Sequence, residues 1–295
     1  MPSQLRVLQG IRILSLALNL PGPAALMRCR AMGAACVKLE PPAGDPMGHY
    51  NKLAYAQMHE GVRVVEADLK TEAGQKLLHR ELARTDVLLT SFRPSALEKL
   101  GLGWKELHTT YPNLSQVAIV GAAGARAEEP GHDLTYLADK GLVPGLELPA
   151  TLYADMSGSL MASEAVLQAA LVRNERYGGS GENHPVGVFI EVALADAAHY
   201  LSLPRQWGLT APDGAVGGAH AGYAVYPCRD GRVAVAALEP HFASALCKVA
   251  GVAEPDPSMR APATRAAIAA FLAGRGRAEL ERLASEHDLP LHCME

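Results

Sequence analysis

The feature that most limits what this chain can fold into is an alternation of short apolar runs with helical stretches. IRILSLAL, residues 11–18, reads as a buried strand. LPGPAALMRCRAMGAACVKLE follows, with a Pro-Gly-Pro break, a helical stretch over 23–32, a helix stop at Gly33 and a second strand over 35–40. The unit then repeats in outline. VRVVEADL (62–69) is a strand, TEAGQKLLHRELART (71–85) is an amphipathic helix opened by Thr71, and DVLLTSF (86–92) and SQVAIVGA (115–122) are strands. Buried strands separated by helices predict an α/β fold with a mostly parallel, doubly wound sheet and right-handed crossovers.

No G-x-G-x-x-G follows the first strand, so a standard dinucleotide site is disfavoured even though Glu40 ends the second strand where a ribose-binding carboxylate could sit. A strong helix is predicted over 156–175, with Asp155 in the place of an N-cap, then a loop over 178–185 and a return to strand and helix. Residues 204–219 are rich in Gly and Pro and read as a linker; 222–238 read as a hairpin with Asp230-Gly231 as its turn, and the stretch over 262–288 reads as helical. The predicted layout is a larger α/β domain over 1–200, a linker over 201–220 and a smaller α+β domain over 221–295.

The composition sets limits on function. With 49% hydrophobic and 20% charged residues the chain can bury a full core, and a net charge of -4 gives no basic footprint for nucleic acid. The N-terminus lacks the order of a signal peptide, and no apolar run approaches the ~18 residues that span a bilayer, so no membrane partner is expected. Five scattered cysteines with no C-x-x-C pair point to reduced thiols in a cytoplasmic protein, with Cys29 and Cys36 packing a core. Eleven histidines without ligand-like spacing predict no metal site.

Three places carry possible chemistry. EEPGHDLTYLAD (128–139) sets His132 and Asp133 side by side after a Pro-Gly turn, either as a helix start with Asp133 as N-cap and His132 on the surface, or as an acid/base site. Asp155 precedes a long helix, and Glu239 precedes the helix that Pro240 opens. Helix N-termini present free N–H groups that stabilise an oxyanion, and a carboxylate with an imidazole suits proton transfer at a carbon next to a carbonyl. Making both configurations of that carbon requires one group on each face. Spacing alone does not bring these residues together.

The pieces LPGPAALMRCRAMGAACVKLEPPAGDPM, ADLKTEAGQKLL, SFRPSALEKLGLGWKEL, GHDLTYLA, YADMSGSLMAS and YAVYPCRDGRVAVAALEPHF, in this order, resemble the class III CoA-transferase family, which includes the 2-methylacyl-CoA racemases. The resemblance implies a Rossmann-like large domain, a smaller domain and an interlocked homodimer whose active sites lie between the large domain of one subunit and the small domain of the other. It implies an acyl-CoA substrate, with coenzyme A as part of that substrate and no permanently bound cofactor. Asp155 would be the carboxylate shared by transferases, where it carries the acyl group covalently, and racemases, where it is one acid/base. His132 would be the acid/base on the other face, and Glu239 would support it.

Transferases usually carry an aromatic residue in place of His132 and lack Glu239, so the resemblance is nearest the racemase branch. Asp133 and Tyr136 would support the site, Asp133 by holding backbone or the thioester. Arg93 matches the arginine that meets CoA phosphates, and a guanidinium fork suits phosphate. Lys38 reads either as an adenine or phosphate contact or as a solvated strand end. In HEGVR (59–63) only Arg63 remains of a turn that is commonly basic in the family, which implies a weaker grip on CoA. Family chains commonly run past LASEHDLPLHCME, so the expected homodimer is hooked rather than fully linked. The alternatives to the racemase are a CoA-transferase with Asp155 as carrier, and a non-catalytic paralogue with weak CoA binding.

Overall fold

A computed structural model describes residues 5–178, 187–252 and 258–295. The chain divides into two compact units, Met1–Ser202 and Leu203–Glu295. The first unit holds strands β1 (Arg12–Ser15), β2 (Ala35–Glu40), β3 (Arg63–Glu66), β4 (Val87–Thr90), β5 (Ser115–Val120) and β6 (Phe189–Ala193). They form a six-stranded sheet in the order β3-β2-β1-β4-β5-β6, every neighbouring pair parallel. The alternation that runs through the sequence therefore becomes a doubly wound parallel sheet.

Every residue of β4 and β5 is buried, as expected for strands covered by helices on both faces. The pleat sends neighbours to opposite sides. Ile13, Val87 and Leu89 pack with Leu26 of the helix Pro21–Ala31 and with Ala162, Ala165, Val166 and Ala169 of the helix Tyr153–Gly178. Leu14 and Leu88 pack on the other face with Leu78 and Leu82 of the helix Glu72–Leu82 and with Leu97, Leu102 and Leu107. β3 is shorter than the eight residues expected and lies at the sheet edge, bonded on one side only. The Thr71 hydroxyl caps the next helix by accepting the Gly74 N–H at 3.1 Å. Thr71→Ala is expected to cost about 1 kcal/mol, read by urea unfolding.

The second unit holds β7 (Tyr223–Cys228), β8 (Gly231–Ala236) and β9 (Leu291–Met294) in an antiparallel sheet of order β7-β8-β9. Helices Pro240–Val249, Pro262–Ala273 and Arg277–His287 supply Leu246, Ile268, Leu272 and Leu280 to a core with Tyr226, Val233 and Val235.

Two sequence expectations change. The hairpin turn is Arg229-Asp230, because Cys228 pairs with Gly231, which already belongs to β8. The helical stretch expected over 262–288 forms as two helices, and the residues after it add β9 beside β8, where Cys293 pairs with Val233 and joins the core. The start of the expected linker is helix instead, since Leu194–Gln206 continues through it. Leu194, Ala197, Ala198 and Ser202 are all buried at helical spacing, and that stripe holds the helix together. From residue 179 on, the loop expected over 178–185 lies outside the described residues. No helix among the described residues is long and apolar enough to cross a membrane.

Candidate active site

In open α/β sheets ligands bind beyond the carboxyl ends of the strands, at the point where strand order reverses. Here the order reverses between β1 and β4. A cavity of about 290 Å³ lies there, lined by Leu18 and Asn19 after β1, Ser91, Phe92 and Arg93 after β4, and Ile119, Val120 and Gly121 at the end of β5. His132, Tyr136 and Asp155 line the same cavity.

His132 stands at the N-cap of the short helix Asp133–Asp139, with extended backbone (φ -143°, ψ 170°). Its N–H donates to the Thr135 hydroxyl at 3.1 Å. The N-cap is thus His132, and Asp133, expected as a possible cap, is the first helical residue. Asp133 is only 5% exposed. The first N–H groups of a helix need partners from outside it. Asp133 supplies one for the long helix, accepting the Asp155 N–H on Oδ1 at 3.0 Å. That helix begins at Tyr153, so Asp155 lies in its first turn rather than at its N-cap.

Asp155 is half-buried, and its carboxyl is pushed up to about 6. Burial is the main cause and the nearby Asp133 carboxylate adds to it, while His132 opposes. An unfolded aspartate titrates near ~3.9. The folded state therefore holds the extra proton between these values, and the stability linked to it is lost as pH rises through about 6. Asp155→Asn removes the ionisation. It is expected to raise the melting temperature relative to the parent at pH 8 and to leave the difference near zero at pH 4, as read by calorimetry.

The Tyr136 phenol sits in a slot between two glycines: a Cβ on Gly121 would come within 2.3 Å of its oxygen, and one on Gly131 within 2.5 Å. Burial raises the phenol's pKa and the Asp155 charge raises it further, with Arg93 opposing, so the group stays protonated and can donate. Arg93 is exposed and precedes the helix Pro94–Lys99.

Glu239, Arg63 and Lys38 are not among the residues that line this cavity. Glu239 is exposed at the N-cap of Pro240–Val249 in the second unit. Arg63 binds Glu81 at 2.8 Å, so its guanidinium is already engaged within the chain. Lys38 is no solvated strand end: its ammonium is fully buried, ion-paired with Asp45 and, at 3.0 Å, with Glu40. A cation enclosed by two carboxylates offers no free charge to a phosphate, which replaces the reading of Lys38 as a CoA contact. Glu40, Asp45 and His59 have ligand-type atoms within 4.8 Å of one another, and the Lys38 ammonium is the cation they surround. Burial pushes the Cys29 and Cys36 thiols up to about 12, so both pack the core and neither is a nucleophile at neutral pH. Asn19 and Ser91 line the cavity but carry no signal in one sequence, since both precede ordinary helix starts.

The family model for CoA-transferase family III matches residues 8–294. "Probable fatty acyl-CoA transferase Rv3272" of Mycobacterium tuberculosis is 31% identical over 210 residues, covering 65% of this chain and 51% of the relative. Alpha-methylacyl-CoA racemase of Homo sapiens is 28% identical over 263 residues, covering 83% of this chain and 65% of the relative. The chain thus spans between about half and two thirds of the length of these curated relatives. A crystal structure of Rv3272 superposes with a TM-score of 0.82 at 24% identity, covering 98% of this chain and 84% of that one, and supports the fold. With the parallel sheet, the small antiparallel sheet and a family match along nearly its whole length, this chain belongs to CoA-transferase family III.

Proposed function

We propose that the protein racemises 2-methylacyl-CoA thioesters, with His132 and Asp155 as its two acid/base groups. The observation that carries this reading is that both side chains line one cavity at the topological switch point. One group removes the α-proton, and the electrons of that C–H bond pass into the thioester carbonyl as an enolate. The other group returns a proton to the opposite face, so the atoms balance with only configuration changed. Asp155, pushed up to about 6, is largely ionised at pH 7 yet close enough to neutrality to give the proton back. Tyr136 and Asp133 position this pair, and Arg93 faces the CoA phosphates.

The working form in this reading is a cytoplasmic homodimer. The long helix leaves Tyr153, Met156, Leu160 and Leu171 exposed, an apolar surface of the kind that a second subunit covers. Sedimentation of the protein at micromolar concentration is expected to show the dimer, and a stable monomer would overturn this assignment.

A CoA-transferase with Asp155 as covalent carrier is the second reading. It is favoured by the names of relatives such as the succinyl-CoA--D-citramalate CoA-transferase of Chloroflexus aurantiacus, 30% identical over 199 residues. One experiment separates the two. The protein is incubated in D₂O with a single epimer of a 2-methylacyl-CoA and no acceptor acid. Deuterium uptake with epimerisation is the racemase result. No uptake, together with an Asp155 adduct trapped by hydroxylamine, is the transferase result.

A further inference from the structure

The turn from β1 into the helix Pro21–Ala31 is held in an uncommon way. Three consecutive peptide N–H groups each donate to a side chain, the first to a neighbour in the turn and the next two to residues from other places in the fold. Ala17 donates to Ser15 Oγ at 3.2 Å, Leu18 to Ser91 Oγ at 3.0 Å and Asn19 to Asp45 Oδ1 at 3.0 Å. Asn19 is left-handed, with φ 65°, one of two such non-glycine residues among those described. A side chain in that region is strained, and such strain persists only where surrounding structure enforces it. Leu18 and Asn19 line the cavity that holds His132 and Asp155.

What enforces the strain is buried charge. The Asp45 side chain is wholly buried; its Oδ1 also accepts the Met47 N–H at 2.9 Å, and its Oδ2 meets the Lys38 ammonium. Lys38, itself wholly buried, is held in turn by Glu40 at 3.0 Å and His59 Nε2 at 2.9 Å. His59 Nδ1 lies 2.7 Å from the Tyr55 carbonyl, to which it can donate only as the Nδ1–H tautomer. That leaves Nε2 free to accept from Lys38. Tyr55 donates to Glu40 Oε1 at 2.8 Å, closing the network. A buried ion pair adds little stability over apolar residues of the same size, so stability alone does not account for this arrangement.

We propose that Asp45, braced by Lys38, is a positioning residue that fixes the Leu18–Leu20 turn as one wall of the active-site cavity, and that Asn19 is the residue through which this wall meets the substrate. The proposal deepens the racemase reading and rests on it for the identity of the substrate. Lys38 and Asp45 touch no substrate; they act through the Asn19 peptide.

The test compares two double variants from which the buried ion pair is gone. Lys38→Met/Asp45→Asn keeps a neutral oxygen to accept the Asn19 N–H, whereas Lys38→Met/Asp45→Leu does not. A merely structural ion pair predicts the same behaviour from both. Positioning predicts that the Leu variant falls at least tenfold below the Asn variant in kcat/KM for α-proton exchange, and that its amides at 18–20 exchange with deuterium at least tenfold faster. Asn19→Gly keeps the left-handed backbone and removes the amide; it is expected to raise KM severalfold, with those amides still protected. Equal amide exchange in the two double variants would overturn the proposal, whatever the substrate proves to be. If the parent shows no exchange on 2-methylacyl-CoA, the racemase reading fails, and the amide comparison still decides the positioning role.

Discussion

Asp155→Ala and His132→Ala are each expected to lower epimerisation of a 2-methylacyl-CoA by ~10²–10⁴, the usual contribution of one general acid/base group. The two losses will not add, because both groups act in a single proton exchange and removing either already breaks it. The double variant should therefore be only slightly slower than the worse single one, as followed by the epimer ratio and deuterium content in D₂O. The pH profile reads the same carboxyl. The equilibrium constant of a racemisation does not change with pH, so kcat/KM must follow one profile in both directions. It should fall as pH drops through about 6, where the raised carboxyl is held protonated and the pair carries one proton too many. A profile flat through that range would rule out Asp155 as the acid/base.

Gly22→Ala should be the most damaging single-methyl change near the site, and Gly48→Ala its opposite. A Cβ on Gly22 would stand 2.2 Å from the Ala17 Cβ, whereas one on Gly48 meets nothing closer than 3.7 Å. Both glycines lie in helices and neither has a positive φ, so the chemical change is the same and only the surroundings differ. Overpacking costs about 1–3 kcal/mol. Removing a glycine's freedom from the unfolded chain, with no clash, returns about 0.4–1 kcal/mol. Urea unfolding should thus move in opposite directions for the two. Gly22→Ala should also lose activity in the protein that remains folded, because the Ala17–Gly22 turn it spreads carries Leu18 and Asn19 into the cavity. Equal midpoints for the two variants would refute the close approach.

The large sheet was readable in the sequence because its strands are built around short apolar runs, such as Val87–Leu89 and Val117–Val120, and its crossovers are helices with clear starts, such as Thr71. What stayed hidden has a physical reason in each case. β9 is four residues long, with two of them only partly buried and one exposed, and it becomes a strand through pairing with β8, a partner some sixty residues away. The helix over Leu194–Gln206 was obscured by Pro204 and the glycines after it, although its buried stripe has helical spacing. In the site, His132, Tyr136, Asp155 and Arg93 were found through family motifs, and the fold sets all four around one cavity. Lys38 was misread because a single lysine at a strand end reveals nothing of the Asp45 and His59 that meet it only after folding. Asn19 was missed for the same reason: a left-handed backbone leaves no mark on an isolated asparagine before a Pro-Gly-Pro.

The pairing order of the large sheet also dictates when its cavity can come into being. β1 lies against β4, with Ile13 opposite Val87, and β5 against β6, with Gln116 opposite Phe189. Each pairing closes a loop of more than seventy residues, and such closures are the slow steps of folding, because chain entropy is spent before any contact repays it. The walls after β1, β4 and β5 face one another only once those closures are complete. During refolding, helical circular dichroism should therefore recover first and catalytic competence only with the slowest phase, so that the emergence of activity itself becomes a clock for the final docking of the central strands.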